Sequence, residues 1–86
     1  MELELKNWLQ SGKYRIEALK KLQKSPSLPS ELAKELKIHR SSIARVLNDL
    51  VKESLISKTT RSAKTTTYFL TKSGERVTQE IREVKV

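Results

Sequence analysis

Side chains that could bind a nucleic acid lie on one face of a predicted helix over residues 40–53. At about 100° per residue, placing Ile43 at the centre of the inward face turns a polar set outward. That set, with the opening turn of the helix, comprises Arg40, Ser41, Ser42, Arg45, Asn48 and Lys52. Arginine can donate two hydrogen bonds to guanine, asparagine can pair with adenine, and serine and lysine can reach phosphate. Asp49 is an acid near this set, off the centre of the face.

A second group of cations falls in a predicted β-hairpin after this helix. Past Leu55 the chain becomes rich in β-branched and aromatic residues, which predicts strands over residues 55–60 and 65–71. Residues 61–64 contain no Asn-Gly or Asp-Gly pair, so we expect a connection longer than two residues. The cations of the hairpin are Lys58, Arg61 and Lys64. Beside a groove-filling helix they could contact phosphate or the minor groove.

The charge balance of the chain supports this interpretation of both groups. A polar outer face is also typical of any solvated helix, and a basic hairpin is often simply soluble. Here, however, 18 Lys and Arg outnumber 10 Asp and Glu, which gives a formal net charge of +8. Such a surplus bears on partners rather than on the fold, and it favours a polyanion.

Length and composition exclude several classes of protein. Eighty-six residues suffice for about one compact core, so we expect a single domain over residues 1–86. The chain has no Cys and one His, which excludes disulfides and thiolate sites and leaves too few ligands for zinc. We therefore expect neither a metal nor a cofactor.

An enzyme and a membrane protein are also not expected. The sequence has no Gly-rich phosphate loop and no acid pair in an apolar setting, and it is too short to enclose a pocket beside its core. No apolar run approaches the roughly 18 residues of a membrane span, and the first residues lack the pattern of a signal peptide. We expect a cytoplasmic protein.

Two of the predicted helices have the spacing of a helix-turn-helix. Apolar residues at helical spacing predict helices over residues 2–10, 13–24, 29–37, 40–53 and 72–84. The third and fourth are joined by a three-residue turn. Ala33 offers a small side chain where these two helices cross, and Ile43, ten residues later, fills the crossing. Ile38 in the turn closes the contact between them.

These residues resemble the winged helix-turn-helix regulators of bacteria and archaea, including MarR-like and ArsR-like proteins. The resemblance covers about residues 14–77. Its matching segments are SELAKEL at 30–36, IHRSSIARVL at 38–47, LI at 55–56 and YFLTKSG at 68–74. Two positions depart from the family, because Lys37 and Ser54 stand where such proteins often have glycine. A non-glycine residue in left-handed backbone costs about 1 kcal/mol.

The resemblance implies a fold class and a role for each part. The fold would be mainly α with a small β-hairpin, an α+β winged helix-turn-helix with flanking N- and C-terminal helices. Its parts would be an N-terminal helix at 1–12, the helix-turn-helix at 29–53, the wing hairpin at 55–71 and a C-terminal helix at 72–86. The fourth helix would be the recognition helix, and the flanking helices would form the usual dimer interface.

Apolar stripes on the two terminal helices predict that the chain is a homodimer. The stripes are Leu5, Trp8 and Leu9 on the first helix and Val77, Ile81 and Val84 on the last. We expect that neither stripe can join a core already filled by the central helices. The family also binds DNA mostly as dimers, and two-fold symmetry doubles the contacts. The alternative is that the stripes pack on each other within one chain.

Together these features predict a sequence-specific transcription regulator that binds double-stranded DNA. The recognition helix at 40–53 would enter the major groove, and the wing at 58–64 would contact flanking backbone or the minor groove. Two alternatives stay open, a protein interaction module with the same fold and a non-specific architectural DNA binder. A protein-docking face would be apolar or acidic, whereas Arg40, Arg45 and Lys52 favour phosphate.

Overall fold

A computed structural model of the chain describes residues 3–62 and 65–83. Its elements are α1 (Leu3–Ser11), α2 (Arg15–Lys24), α3 (Pro29–Leu36), α4 (Arg40–Lys52), β1 (Ile56–Ser62), β2 (Thr65–Leu70) and α5 (Lys72–Glu83). Over these residues the fold is mainly helical with one antiparallel hairpin, which confirms the predicted fold class. Lys64 and Val84, two of the predicted site residues, lie outside the described ranges.

Helix α2 lies at the centre of the domain. Its Ala18 and Leu19 are completely buried, and Leu22 is nearly so. The helix packs against α1, α3, α4, α5 and β2. Because several elements pack around α2, its apolar residues occupy more than one face of the helix.

The helix-turn-helix forms as the spacing predicts. Helices α3 and α4 pack together, with Ala33 5% exposed and Ile43 fully buried at their contact. The Ile38 N–H donates a hydrogen bond to the Ala33 carbonyl at 3.0 Å, which closes the turn. Lys37 ends α3 in left-handed backbone, with φ of 58°. The turn therefore keeps the geometry for which glycine is favoured, although a lysine occupies it.

Replacing Lys37 or Ser54 by glycine is expected to stabilise the fold. These two residues are the non-glycine positions with positive φ among the described residues, at 58° and 61°. Relief of the left-handed strain outweighs the greater entropy that glycine gives the unfolded chain. We therefore expect the free energy of unfolding to rise by about 1 kcal/mol at each site. Urea unfolding followed by circular dichroism measures it. Lys20→Gly, in the interior of α2, is the control and should lose about 1 kcal/mol instead.

The two strands of the hairpin extend closer to each other along the chain than the sequence predicts. Strands β1 and β2 pair from Ile56 opposite Leu70 to Ser62 opposite Thr65, with a register shift between Thr60 and Ser62. The last pair leaves two residues between the strands, so the expectation of a longer connection is wrong. An extra residue in one strand of an antiparallel pair changes the local twist and shifts the pairing of the residues beyond it.

A segment before α3 anchors the hairpin to the helices. The Ser27 N–H donates to the Tyr68 carbonyl at 3.0 Å, and the Tyr68 N–H donates to the Ser27 carbonyl at 2.9 Å. Strand β2 thus lies between β1 and this segment. Tyr68 is 9% exposed and belongs to the core. The hairpin is therefore fixed at its base to the start of the helix-turn-helix.

Thr71 joins the end of the hairpin to the turn after α4 and to the first turn of α5. Its hydroxyl donates to the Ser54 carbonyl at 2.7 Å and accepts from the Gly74 N–H at 3.1 Å. The Thr71 N–H donates to the Leu55 carbonyl at 3.1 Å. A hydroxyl that satisfies a first-turn N–H contributes about 1 kcal/mol to a helix. This junction sets where the hairpin lies relative to α4.

The burial of the terminal helices corrects one expectation. Leu9 is 1% exposed and Val77 is 7% exposed, and both belong to the core. Helices α1 and α5 pack on α2, so the core extends to both stripes. Leu9 and Val77 are therefore covered within one chain and are not available to a second copy. Leu5, Trp8 and Ile81 are partly buried against the core.

Candidate nucleic-acid interface

The outward face of α4 is polar along its length. Five of its predicted site residues are exposed and Ser42 is half-buried; the five are Arg40, Ser41, Arg45, Asn48 and Lys52. On the opposite side, Ile43, Leu47 and Leu50 are completely buried. The core therefore fixes the helix and presents hydrogen-bond donors on its free side.

The start of α4 is stabilised by backbone contacts. His39 occupies the N-cap position in extended backbone and makes no side-chain capping bond. Its carbonyl accepts from the Ser42 N–H at 3.0 Å and from the Ile43 N–H at 3.1 Å. With no acid in the first turn and Arg40 beside it, this end of the helix is electropositive.

The cations of α4 are free to meet a ligand. Arg40, Arg45 and Lys52 form no salt bridge with any other residue that the structure describes. Asp49, the acid on this helix, is instead 3.6 Å from Arg15 at the start of α2. The positive charge of the face is thus not neutralised from within its own helix.

The hairpin carries one predicted cation whose side chain the structure describes. Lys58 lies in β1, is exposed, and pairs across the sheet with Tyr68. Strand β1 packs against α4, so Lys58 belongs to an element next to that helix. The backbone of Arg61 belongs to β1, but its side chain lies outside the description, as does all of Lys64.

Threonines in the hairpin are candidate contacts that sequence reasoning missed. Thr59 and Thr60 are exposed beside Lys58, and the hydroxyls of Thr60 and Thr66 are 3.2 Å apart. Hydroxyl groups are common ligands of nucleic-acid phosphate. The signal that points to them is the threonine-rich composition of both strands, which predicts β-structure and also a row of hydroxyl groups.

Arg15 is a second residue that the sequence did not single out. Its guanidinium lies over the Trp8 ring, 4.0 Å from the centroid, and donates to the Trp8 carbonyl at 2.5 Å and to the Ser11 hydroxyl at 3.2 Å. The same side chain reaches Asp49 of α4. Periodicity predicted only that Arg15 lies near the start of a helix, and no pattern predicted these contacts.

The described ranges contain neither a membrane-spanning helix nor a cluster of metal-binding side chains. No helix within residues 3–62 and 65–83 is long and apolar enough to cross a membrane. Over the same residues, no group of three or more His, Asp and Glu side chains could hold a metal ion.

The helix-turn-helix, the buried side of α4 and the anchored hairpin define a winged helix-turn-helix domain of the kind found in transcription regulators. Within that class, the chain belongs to the HVO_A0261 N-terminal domain family, which it matches over residues 5–86. The predicted membership of a winged helix-turn-helix regulator family is confirmed.

Solved structures with the same fold are transcription regulators. The MarR family transcription regulator SP03579 is 26% identical, with a TM-score of 0.75 over 80% of this chain and 48% of that one. The adhesin competence repressor AdcR from Streptococcus pyogenes is 21% identical, with a TM-score of 0.77 over 96% of this chain and 73% of that one. HlyU from Vibrio vulnificus is 19% identical, with a TM-score of 0.71 over 84% of this chain and 75% of that one.

These matches support the fold of the chain more strongly than they support the activity of a whole regulator. The chain spans about half the length of the SP03579 regulator. No curated protein matches it in sequence. The likeness to AdcR and HlyU, below 25% identity, shows the fold alone.

Proposed function

We propose that this chain is a DNA-binding domain of a transcription regulator, and that it reads a specific sequence in double-stranded DNA. The observation that carries the proposal is the exposed face of α4, where Arg45 and Asn48 point outward from a helix fixed by its buried side, and Arg45 forms no salt bridge with any residue that the structure describes. Arginine and asparagine are the side chains suited to guanine and adenine edges in the major groove. Binding, not chemistry, is the function, and the site of action is the cytoplasm.

The hairpin takes the role of a wing in this proposal. Lys58, with Thr59 and Thr60 beside it, would contact phosphates that flank the groove occupied by α4. Arg61 and Lys64 would extend that contact toward the minor groove. Support comes from the packing of β1 against α4 and from the bonds of Thr71 that fix the base of the hairpin.

Binding to duplex DNA at several salt concentrations tests the proposal. If each chain neutralises about four phosphates, affinity should fall about 100-fold between 50 and 200 mM salt. Selection from a random pool should also enrich one sequence, as an inverted repeat with half-sites about one helical turn apart. Steep salt dependence without enrichment would indicate an architectural binder. Absence of binding near 100 mM salt would favour a protein partner.

We further propose that the chain acts as a homodimer through the apolar side chains that its own core leaves partly uncovered. Leu3 is 72% exposed, and Leu5, Trp8 and Ile81 are partly buried. Leu5→Glu should convert a dimer into a monomer at micromolar concentration, because a charge in an apolar interface loses its water. Sedimentation equilibrium measures the mass. Lys6→Glu, on the next exposed position of α1, is the control and should stay dimeric.

A further inference from the structure

The side chain of Arg15 connects α1 to the DNA-facing helix. One guanidinium nitrogen bonds the Trp8 carbonyl and the Ser11 hydroxyl at the end of α1, and the other lies 3.6 Å from the Asp49 carboxylate on α4. The plane of the guanidinium covers the Trp8 ring. Its side chain is 18% exposed, so it is held in place by α1 and is not offered to a large ligand.

Gly12 gives this side chain its space. A Cβ at Gly12 would lie 2.4 Å from the Arg15 side chain. The link between α1 and α2 thus allows the guanidinium to fold back over Trp8. The arrangement therefore joins residues of three helices, α1, α2 and α4, and of the link between the first two.

The position of Asp49 makes this contact matter for α4. Asp49 follows Asn48 and lies one turn after Arg45, so its carboxylate has two alternative interactions. Residues four apart on a helix are neighbours, with roughly 5–6 Å between their Cβ atoms. A free Asp49 carboxylate could therefore pair with Arg45, or it could face the phosphates that the α4 cations attract.

We propose that Arg15 is a positioning residue of the DNA-binding surface, which holds the Asp49 carboxylate at the edge of α4 and leaves Arg45 free for DNA. The inference rests on the proposed DNA-binding function. In this role Arg15 raises affinity without touching DNA itself. Its pair with Asp49 is partly exposed, so its contribution to folding is small, and its effect is expected in binding.

Four variants test the role of Arg15 in duplex binding. Arg15→Gln should weaken binding about fivefold, the effect of one unfavourable charge contact near 4 Å in water. Asp49→Asn should bind at least as tightly as the natural chain. In the double variant the harmful carboxylate is absent, so its affinity should return to that of Asp49→Asn. Lys20→Gln removes the same charge from an exposed site on α2 and should leave binding unchanged.

Trp8 provides a readout independent of DNA. It is the one tryptophan of the chain, and the guanidinium lies on its ring. Its emission should therefore shift in Arg15→Gln and stay constant in Lys20→Gln. All affinities are measured at a temperature well below the lowest thermal unfolding midpoint among the variants, so that every variant is folded.

The outcomes separate this inference from the function it rests on. If the natural chain binds no duplex, the proposed function fails and this inference fails with it. If the natural chain binds and Arg15→Gln binds equally well, the inference alone is overturned. It is also overturned if the double variant stays as weak as Arg15→Gln, because Asp49 would then not transmit the effect.

Discussion

Arg45→Ala is expected to weaken binding to the selected duplex by about 1–3 kcal/mol, or about 5- to 150-fold. Arg45 is exposed at the middle of α4, and Ile43 and Leu47 hold that helix against the core. A base contact is lost on one sequence only, so binding to an unrelated duplex should change much less. Fluorescence anisotropy with both duplexes at one fixed salt concentration measures the two effects.

Lys52→Ala is the matched control for this change. It removes the same charge from the last turn of the same face, where a lysine can reach phosphate but cannot form two bonds to guanine. Binding should weaken on both duplexes alike, and the salt slope should fall by about 1. Asn48→Ala should behave like Arg45→Ala. Equal losses on both duplexes for Arg45, Asn48 and Lys52 would mean that α4 binds DNA without reading it.

Gly74→Ala is expected to destabilise the fold by about 2–3 kcal/mol, as overpacking of a rigid site does. A Cβ on Gly74 would lie 1.9 Å from the Leu55 carbonyl oxygen and 2.9 Å from its carbon. The obstacle is backbone, so α5 would have to move away from the end of the hairpin. In an ordinary helix the same change stabilises by about 1 kcal/mol, so the expected sign is reversed.

The other glycine of the chain provides the control for Gly74. At Gly12 the atoms nearest to the new Cβ belong to the Arg15 side chain, which can change rotamer where a backbone carbonyl cannot move. Gly12→Ala should therefore cost much less than Gly74→Ala in urea unfolding followed by circular dichroism. Equal midpoints for the two variants would show that α5 can shift freely at the Leu55 carbonyl.

The sequence predicted most of the helix-turn-helix, because that unit depends on local patterns. The 3.6-residue period of α4 fixed its inward residues, including Ile43, and therefore also its outward face. The departures at Lys37 and Ser54 were visible as well, since left-handed positions in this fold usually have glycine. Both residues have positive φ in the structure.

Features that depend on contacts between distant elements could not be predicted in the same way. The burial of Leu9 and Val77 depends on how much of the α2 surface the other helices leave uncovered. The spacing of apolar residues within α1 or α5 does not indicate that area. The register of the hairpin includes a shift between Thr60 and Ser62, which the β-rich composition of the strands does not indicate. Arg15 acts through Trp8 and Asp49, which the chain brings together only when it folds.

The pairing of the hairpin has a consequence for solubility. In the described residues, β1 pairs with β2 on one side, and its other edge has backbone groups that could add a strand from another molecule. Such edges promote aggregation, and proteins protect them with lysines and with breaks in the strand. Lys58 stands within β1, and the register shift between Thr60 and Ser62 interrupts its regular edge. The basic side chain proposed to meet DNA phosphate therefore also helps to keep neighbouring molecules from joining edge to edge.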